Sequence, residues 1–167
     1  TVPEDSTAQS LEDLRGGTIA FVDPASTSGG LMPTFVVKSM TGLMPEDFFG
    51  RVIWAGTHDA AQLAVKNGTV DAAAGADMIY ERMLGVGLIT SESNRILLTS
   101  DSLPGAPLAY RGDLSEAKKA WLVEAFLDAH NHTDVSGLVG TAHFERADPA
   151  DYAVIRDMVI ELGIADE

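Results

Sequence analysis

The apolar positions of this chain fall into short runs separated by polar and glycine-rich breaks. Leu11-Glu12-Asp13-Leu14-Arg15, followed by Gly16-Gly17, predicts a short helix stopped by glycine. The continuous run Thr18-Ile19-Ala20-Phe21-Val22 predicts a buried strand. Pro33 is tolerated only in the first turn of a helix, where its missing N–H is not needed. The next helix is therefore expected to start near Gly29 or Gly30 and to run to about Met40, with Thr41-Gly42 ending it. Arg51–Ala55 predicts a second strand, 59–67 a helix that Asn67-Gly68 terminates, Val70–Ala74 a third short strand and 76–84 a further helix. Strands are also expected at 95–99 and at about 107–111, the latter after the turn Leu103-Pro104-Gly105-Ala106-Pro107. Asp113 or Ser115 caps a helix with apolar positions at Ala120, Leu122, Val123, Phe126 and Leu127, and Asp148-Pro149 opens a last helix that Gly163 closes. Strands and helices alternating on this scale predict an α/β fold, a mostly parallel sheet with helices on both faces, followed by C-terminal helices.

Length and charge narrow what such a fold can do. With 167 residues the chain can form one domain with a real core or two small lobes. No apolar run approaches the roughly 20 residues of a membrane span, so no direct membrane insertion is expected. The opening TVPEDSTAQS lacks the basic-then-apolar pattern of a signal peptide and reads as a polar tail over 1–10. A formal net charge of −14 argues against nucleic acid or an anionic membrane surface as partner. It leaves local anion binding open. Such ligands are held by directed N–H and O–H donors at short range, whereas the field of distant carboxylates is screened over about 8–10 Å. There is no cysteine, hence no disulfide, thiol chemistry or cysteine-based metal site.

The chemistry concentrates in two turns. Asp23-Pro24-Ala25-Ser26-Thr27-Ser28-Gly29-Gly30 lies between a strand and a helix. That placement aims several backbone N–H groups and up to three hydroxyls at one point, where the helix dipole also favours negative charge. The plainer alternative is that Ser26 or Ser28 only caps the helix and the glycines shape the loop. Gly56-Thr57-His58-Asp59-Ala60-Ala61 repeats the plan after the second strand. If the two strands are neighbours in a parallel sheet, the two turns converge at its carboxyl edge. His58 could then donate to a ligand oxygen, and Asp59 could cap its helix or accept a proton from the ligand; a loop histidine bonded to a carbonyl and a simple Asp cap are the alternatives. Ser28, His58 and Asp59 contain the letters of a nucleophilic triad, but adjacent His and Asp seldom orient one another and no G-x-S-x-G elbow is present. His130, His132 and His143 lack helical metal-site spacing and read as surface residues. No Walker A lysine and no G-x-G-x-x-G fingerprint occur, and no cofactor is expected.

The string GGTIAFVDPASTSGGLMP, followed by AGTHDAAQLAVKNGTVDAAA, resembles the central part of PhnD-like phosphonate, phosphite and phosphate-binding proteins. These are extracytoplasmic receptors of ABC importers with the type 2 periplasmic-binding-protein fold. LPGAPLAYRGDLSEAKKAWLVEAFL and FERADPADYAVIRDM are similar to that family's return strand, following helix and C-terminal helix. The resemblance implies a non-enzymatic receptor that passes a small phosphorus oxyanion to an ABC permease, at a periplasmic or extracytoplasmic location. It implies that Ser26, Thr27 and Ser28 bind the three oxygens and that His58 and Asp59 complete the site from the second turn. Asp77 stands where an amine-facing carboxylate can sit. Ala106 occupies a position where aminophosphonate-binding members commonly carry an acid, which favours phosphate, phosphite or a small uncharged alkylphosphonate.

Family members are typically longer and two-lobed. The expectation is therefore a polar tail at 1–10, a ligand-binding lobe at 11–103 and a return strand with C-terminal helices at 104–167, with the N-terminal part of the first lobe missing. That missing segment, or a second copy of the chain, is the further partner this organisation suggests. A ligand-sensing module of a signalling system and a small serine hydrolase using Ser28 are the alternative functions.

Overall fold

The computed structural model describes residues 1–136 and 143–164. Its packing divides into two units, one of Thr1–Leu103 together with the chain from Val154 on, the other of Pro104–Ala153.

The first unit is built on three parallel strands. β2 (Thr18–Phe21) is central, with β3 (Arg51–Trp54) on one side and β4 (Ala72–Ala73) on the other. Ile19 stands opposite both Val52 and Ala72. Because side chains alternate along a strand, β2 serves two cores. Ile19 and Phe21 pack with Val37 of helix α1 (Met32–Thr41) and with Phe48 and Phe49 around the short helix α2 (Pro45–Phe48). Ala20 and Val22 face the other way, against Ala61 and Val65 of helix α3 (His58–Lys66). The two-faced α/β arrangement expected from the alternation of elements is therefore present. Its strand order puts helices from successive right-handed crossovers on opposite faces.

Glycines stop the elements where the sequence places them. The amide of Gly42 donates to Lys38 O at 2.8 Å with φ at +74°, a left-handed conformation that side chains disfavour, and this ends α1. Pro33 sits in the first turn of α1, as its missing donor requires. A third helix, α4 (Asp77–Gly85), follows β4, and Tyr80 and Met83 on its inner face are buried with Ile89.

Several expectations need correction. The opening is not a free polar tail. Val2 is fully buried, β1 (Val2–Pro3) pairs antiparallel with β5 (Asn94–Arg95), and the Thr1 amino group donates to Ala73 O at 2.8 Å. The Arg95 guanidinium also holds the carbonyls of Ser6 and Ala8. The third strand shrinks to two residues, and the strand expected at 95–99 forms a ladder only at 94–95. The return strand expected at 107–111 forms no ladder among the described residues. A strand exists only with a partner to exchange backbone hydrogen bonds, which a propensity pattern does not supply.

The second unit contains α5 (Glu116–Asp128), capped by Ser115. The segment 104–167 does not stay together. The closing helix Ala153–Leu162 belongs almost wholly to the first unit, where Met158 is buried and Lys38 Nζ donates to Glu161 O at 2.7 Å. Residues 137–142 and 165–167 of that segment lie outside the described residues.

Candidate functional site

Three turns leave the carboxyl ends of β2, β3 and β4, and each opens a helix. The first forms a wide π-helical turn over Thr27–Leu31. The Ser26 carbonyl accepts from both Gly30 N and Leu31 N at 2.9 Å, and Ser26 Oγ accepts from Gly29 N at 3.1 Å. The turn is also pinned to the end of β2, where Val22 N donates to Gly29 O at 2.8 Å. Both glycines are sterically required. A Cβ on Gly29 would lie 2.3 Å from Val22 Cγ2, and one on Gly30 would lie 2.2 Å from Asp23 O.

What this folding leaves over is a set of donors. Among the described residues, no group accepts from the amides of Thr27 and Ser28 or bonds their hydroxyls. Both residues are half-buried. These are the orphan N–H groups of a helix start, with the positive end of the helix dipole behind them. Ser26, by contrast, uses its oxygen inside the turn, so the capping role and the cradle coexist in one loop.

The second turn contributes one side-chain donor. Thr57 Oγ1 accepts from Ala60 N at 3.1 Å and caps α3. His58 then projects between the other two turns: a Cβ on Gly29 would lie 3.2 Å from its Cε1, and one on Gly75 would lie 3.2 Å from its Nδ1. The amide of Ala76 donates to His58 Nδ1 at 3.1 Å. With Nδ1 acting as acceptor, the neutral ring carries its proton on Nε2 and presents a second kind of N–H donor. Burial pushes the His58 pKa below its ordinary value of 6.5, with the Asp59 charge pulling weakly the other way.

The two carboxylates are engaged elsewhere. Asp59 Oδ1 accepts from Arg82 Nη2 of α4 at 2.5 Å in a partly exposed ion pair. Asp77 is exposed at the start of α4, where its Oδ1 accepts from Met78 N at 2.7 Å. It lies on the rim of a cavity that Ser28 also lines. Of the six residues singled out from the sequence, Thr27 and Ser28 offer donors at one helix start, His58 projects beside that turn, Ser26 shapes the turn, Asp59 ties α3 to α4, and Asp77 stands at the rim. The acid–histidine hydrogen bond of a triad is not made, because the Ala76 amide takes the nitrogen that Asp59 would have to orient.

Sequence reasoning missed the third turn. Gly75 and Ala76 act through the space beside one Cα and through a backbone amide, so no side chain marks them. The available signal was that Ala72-Ala73-Ala74-Gly75 leads from a strand into a helix, as the first two turns do. The remaining histidines lie apart from these turns in sequence and in role. His132 Nε2 is 2.7 Å from Asp128 Oδ2, and the rings of His130 and His143 stand 6.1 Å apart. No group of three or more His, Asp or Glu among the described residues is arranged to hold a metal ion.

A turn with unspent N–H and O–H donors at a helix start suits a small oxyanion. The comparisons agree with that chemistry. Residues 1–152 match the family described as ABC transporter, phosphonate, periplasmic substrate-binding protein. The chain is 30% identical over 131 residues to the phosphonates-binding periplasmic protein of Escherichia coli K12, covering 76% of this chain and 38% of that protein. It is 33% identical over 115 residues to the phosphate-import protein PhnD of Mycolicibacterium smegmatis, covering 64% of this chain and 35% of the relative. The structure superimposes on a binding protein component of an ABC phosphonate transporter from Pseudomonas aeruginosa with a TM-score of 0.80 and 27% identity, over 96% of this chain and 55% of that one.

Proposed function

The chain belongs to the family of periplasmic substrate-binding proteins of phosphonate ABC transporters, and on that premise we propose that it carries one face of a binding site for a phosphorus oxyanion destined for an ABC permease. Phosphonate, phosphite and phosphate share the tetrahedral oxygens this face would hold. In this reading the amides and hydroxyls of Thr27 and Ser28 donate to the ligand oxygens, and His58 donates from Nε2. Ser26 keeps the turn in shape, and the Asp59–Arg82 pair fixes the start of α3. Asp77 stands at the rim of the cavity beside the ligand, where an amine on the ligand would meet it.

The observation that supports this most is the set of unspent donors at the Thr27–Ser28 helix start, beside a histidine held as a neutral donor. The family implies an extracytoplasmic site of action and a transport role without a catalytic step. No helix among the described residues is long and apolar enough to cross a membrane.

The chain spans 38% and 35% of the length of the two relatives it matches. Family members bind by closing two lobes on the ligand, so one face alone is expected to bind weakly. Titration calorimetry with phosphate, phosphite and methylphosphonate, on this chain and on the protein together with any segment that completes the second lobe, tests the reading. Saturable binding that Ser28→Ala weakens supports it. Absence of heat with all three ligands in both forms would end it.

A further inference from the structure

We infer that the cavity beside the oxyanion turn receives the organic substituent of the ligand, so that the preferred ligands are phosphonates carrying an apolar chain of several carbons. The inference rests on the reading above, in which Thr27 and Ser28 hold the oxyanion.

The cavity lies within the first unit and encloses about 400 Å³. Ser28 belongs both to the oxyanion turn and to the cavity wall, so an oxyanion held at Ser28 has its fourth substituent at the cavity mouth. Much of the wall is apolar, with Ile19, Phe21, Met32, Val36, Ile96 and Leu98 among its residues. Ile96 and Leu98 are large apolar side chains that remain 49% and 45% exposed, which leaves hydrophobic surface for a ligand to cover.

The two buried polar side chains of the wall have partners already. Gln62 Oε1 accepts from Thr1 Oγ1 at 2.9 Å and from Asn94 Nδ2 at 3.2 Å. Tyr80 donates its hydroxyl to Asn94 O at 2.9 Å. No buried side-chain nitrogen or oxygen among the described residues lacks a partner. The buried part of the wall therefore presents no unmet side-chain donor or acceptor to a polar substituent, and Asp77, Thr99, Ser100, Asp101 and Ser102 are exposed to water. A water molecule occupies about 30 Å³ of liquid and a methylene group is of similar size. A methyl substituent would leave most of this cavity unfilled, whereas a chain of several carbons would cover its walls.

The test is a calorimetric series on the same protein with methyl-, ethyl-, propyl- and hexylphosphonate, and with 2-aminoethylphosphonate as the polar partner of the ethyl compound. Each buried methylene, at about 0.8 kcal/mol, should tighten binding about fourfold until the cavity is full. Val36→Phe should shrink the ratio of hexyl to methyl affinity. Affinity that is flat or falling beyond methyl overturns the inference while leaving the oxyanion reading intact. So does tighter binding of 2-aminoethylphosphonate than of ethylphosphonate, which would assign the substituent to the carboxylates of the wall, Asp77 or Asp101. If no member of the series binds, the oxyanion reading itself fails. The chain-length series on the unaltered protein decides the matter even if the Val36 variant does not fold.

Discussion

The turns after β2 and β3 share one plan and spend their polar groups differently. In the β3 turn the side chains are largely committed: Thr57 caps its helix, Asp59 is paired with Arg82, and the Nε2 side of His58 is left over beside the amides of His58 and Asp59. In the β2 turn Asp23 and Ser26 do the structural work, and the amides and hydroxyls of Thr27 and Ser28 remain unspent. The difference teaches that a Ser/Thr-rich helix start is a binding feature only to the extent that its donors exceed what the turn itself consumes. The two hydroxyls of Thr27 and Ser28 provide that excess, since each turn leaves two helix-start amides over. Gly29 and Gly30 permit this turn, because a Cβ on them would lie 2.3 Å from Val22 Cγ2 and 2.2 Å from Asp23 O.

The strongest way to break the contrast is Gly30→Ala. The added methyl collides with the Asp23 carbonyl, a backbone atom that cannot swing aside. A loss of stability at the upper end of about 1–3 kcal/mol is expected, together with loss of oxyanion binding. Denaturant unfolding and ligand titration measure both, and a variant unchanged in either would mean that the turn is not held as described.

Next comes a matched pair. Thr27→Ala should weaken oxyanion binding by about 1–3 kcal/mol, or about 5- to 150-fold, with stability unchanged within about 0.5 kcal/mol. Thr57→Ala should do the reverse, lowering stability by about 0.5–2 kcal/mol through loss of the cap and leaving affinity largely intact. Equal effects of the two substitutions on binding would erase the distinction between the turns.

The neutral state of His58 gives a pH signature. Its folded pKa is depressed mainly by burial, so the unfolded chain takes up the proton first as pH falls. The stability this contributes is complete above about 6.5 and is lost as pH drops through the lower folded value. Thermal melts of the parent and of His58→Gln should diverge in that window, the parent losing stability more steeply toward acid. Parallel curves would show that His58 is not held neutral. Smallest of all, Arg82→Met should change stability by only about 0.2–1 kcal/mol, because the Asp59–Arg82 pair is partly exposed and screened. A larger loss would mean that this pair, rather than the Ala76 amide, positions the start of α3.

Much of this contrast is readable before any coordinates. The β2 and β3 runs, the glycine stops at Gly42 and Gly68, and Pro33 in a first turn are local signals, and the structure follows them. Where partners are distant, the pattern is silent. The ladder at Val2–Pro3 depends on Asn94 and Arg95, more than ninety positions away in number, and the apolar segment at 107–111 acquires no ladder among the described residues. The site divides in the same way. Thr27, Ser28 and His58 stand out by residue type, whereas the Ala76 amide and the capture of Asp59 by Arg82 depend on β4 lying beside β2 and α4 beside α3.

The central claim is that the donors of Thr27, Ser28 and His58 meet at one oxyanion. A ¹H–¹⁵N titration with methylphosphonate, following the amides of Thr27 and Ser28 together with the Nε2–H of His58, addresses it most directly. The account predicts that all three shift along one saturation curve, while the amide of Ala76, bonded to Nδ1, keeps its partner. Saturable shifts confined to other residues, or none at these three at ligand concentrations that saturate binding, would contradict it.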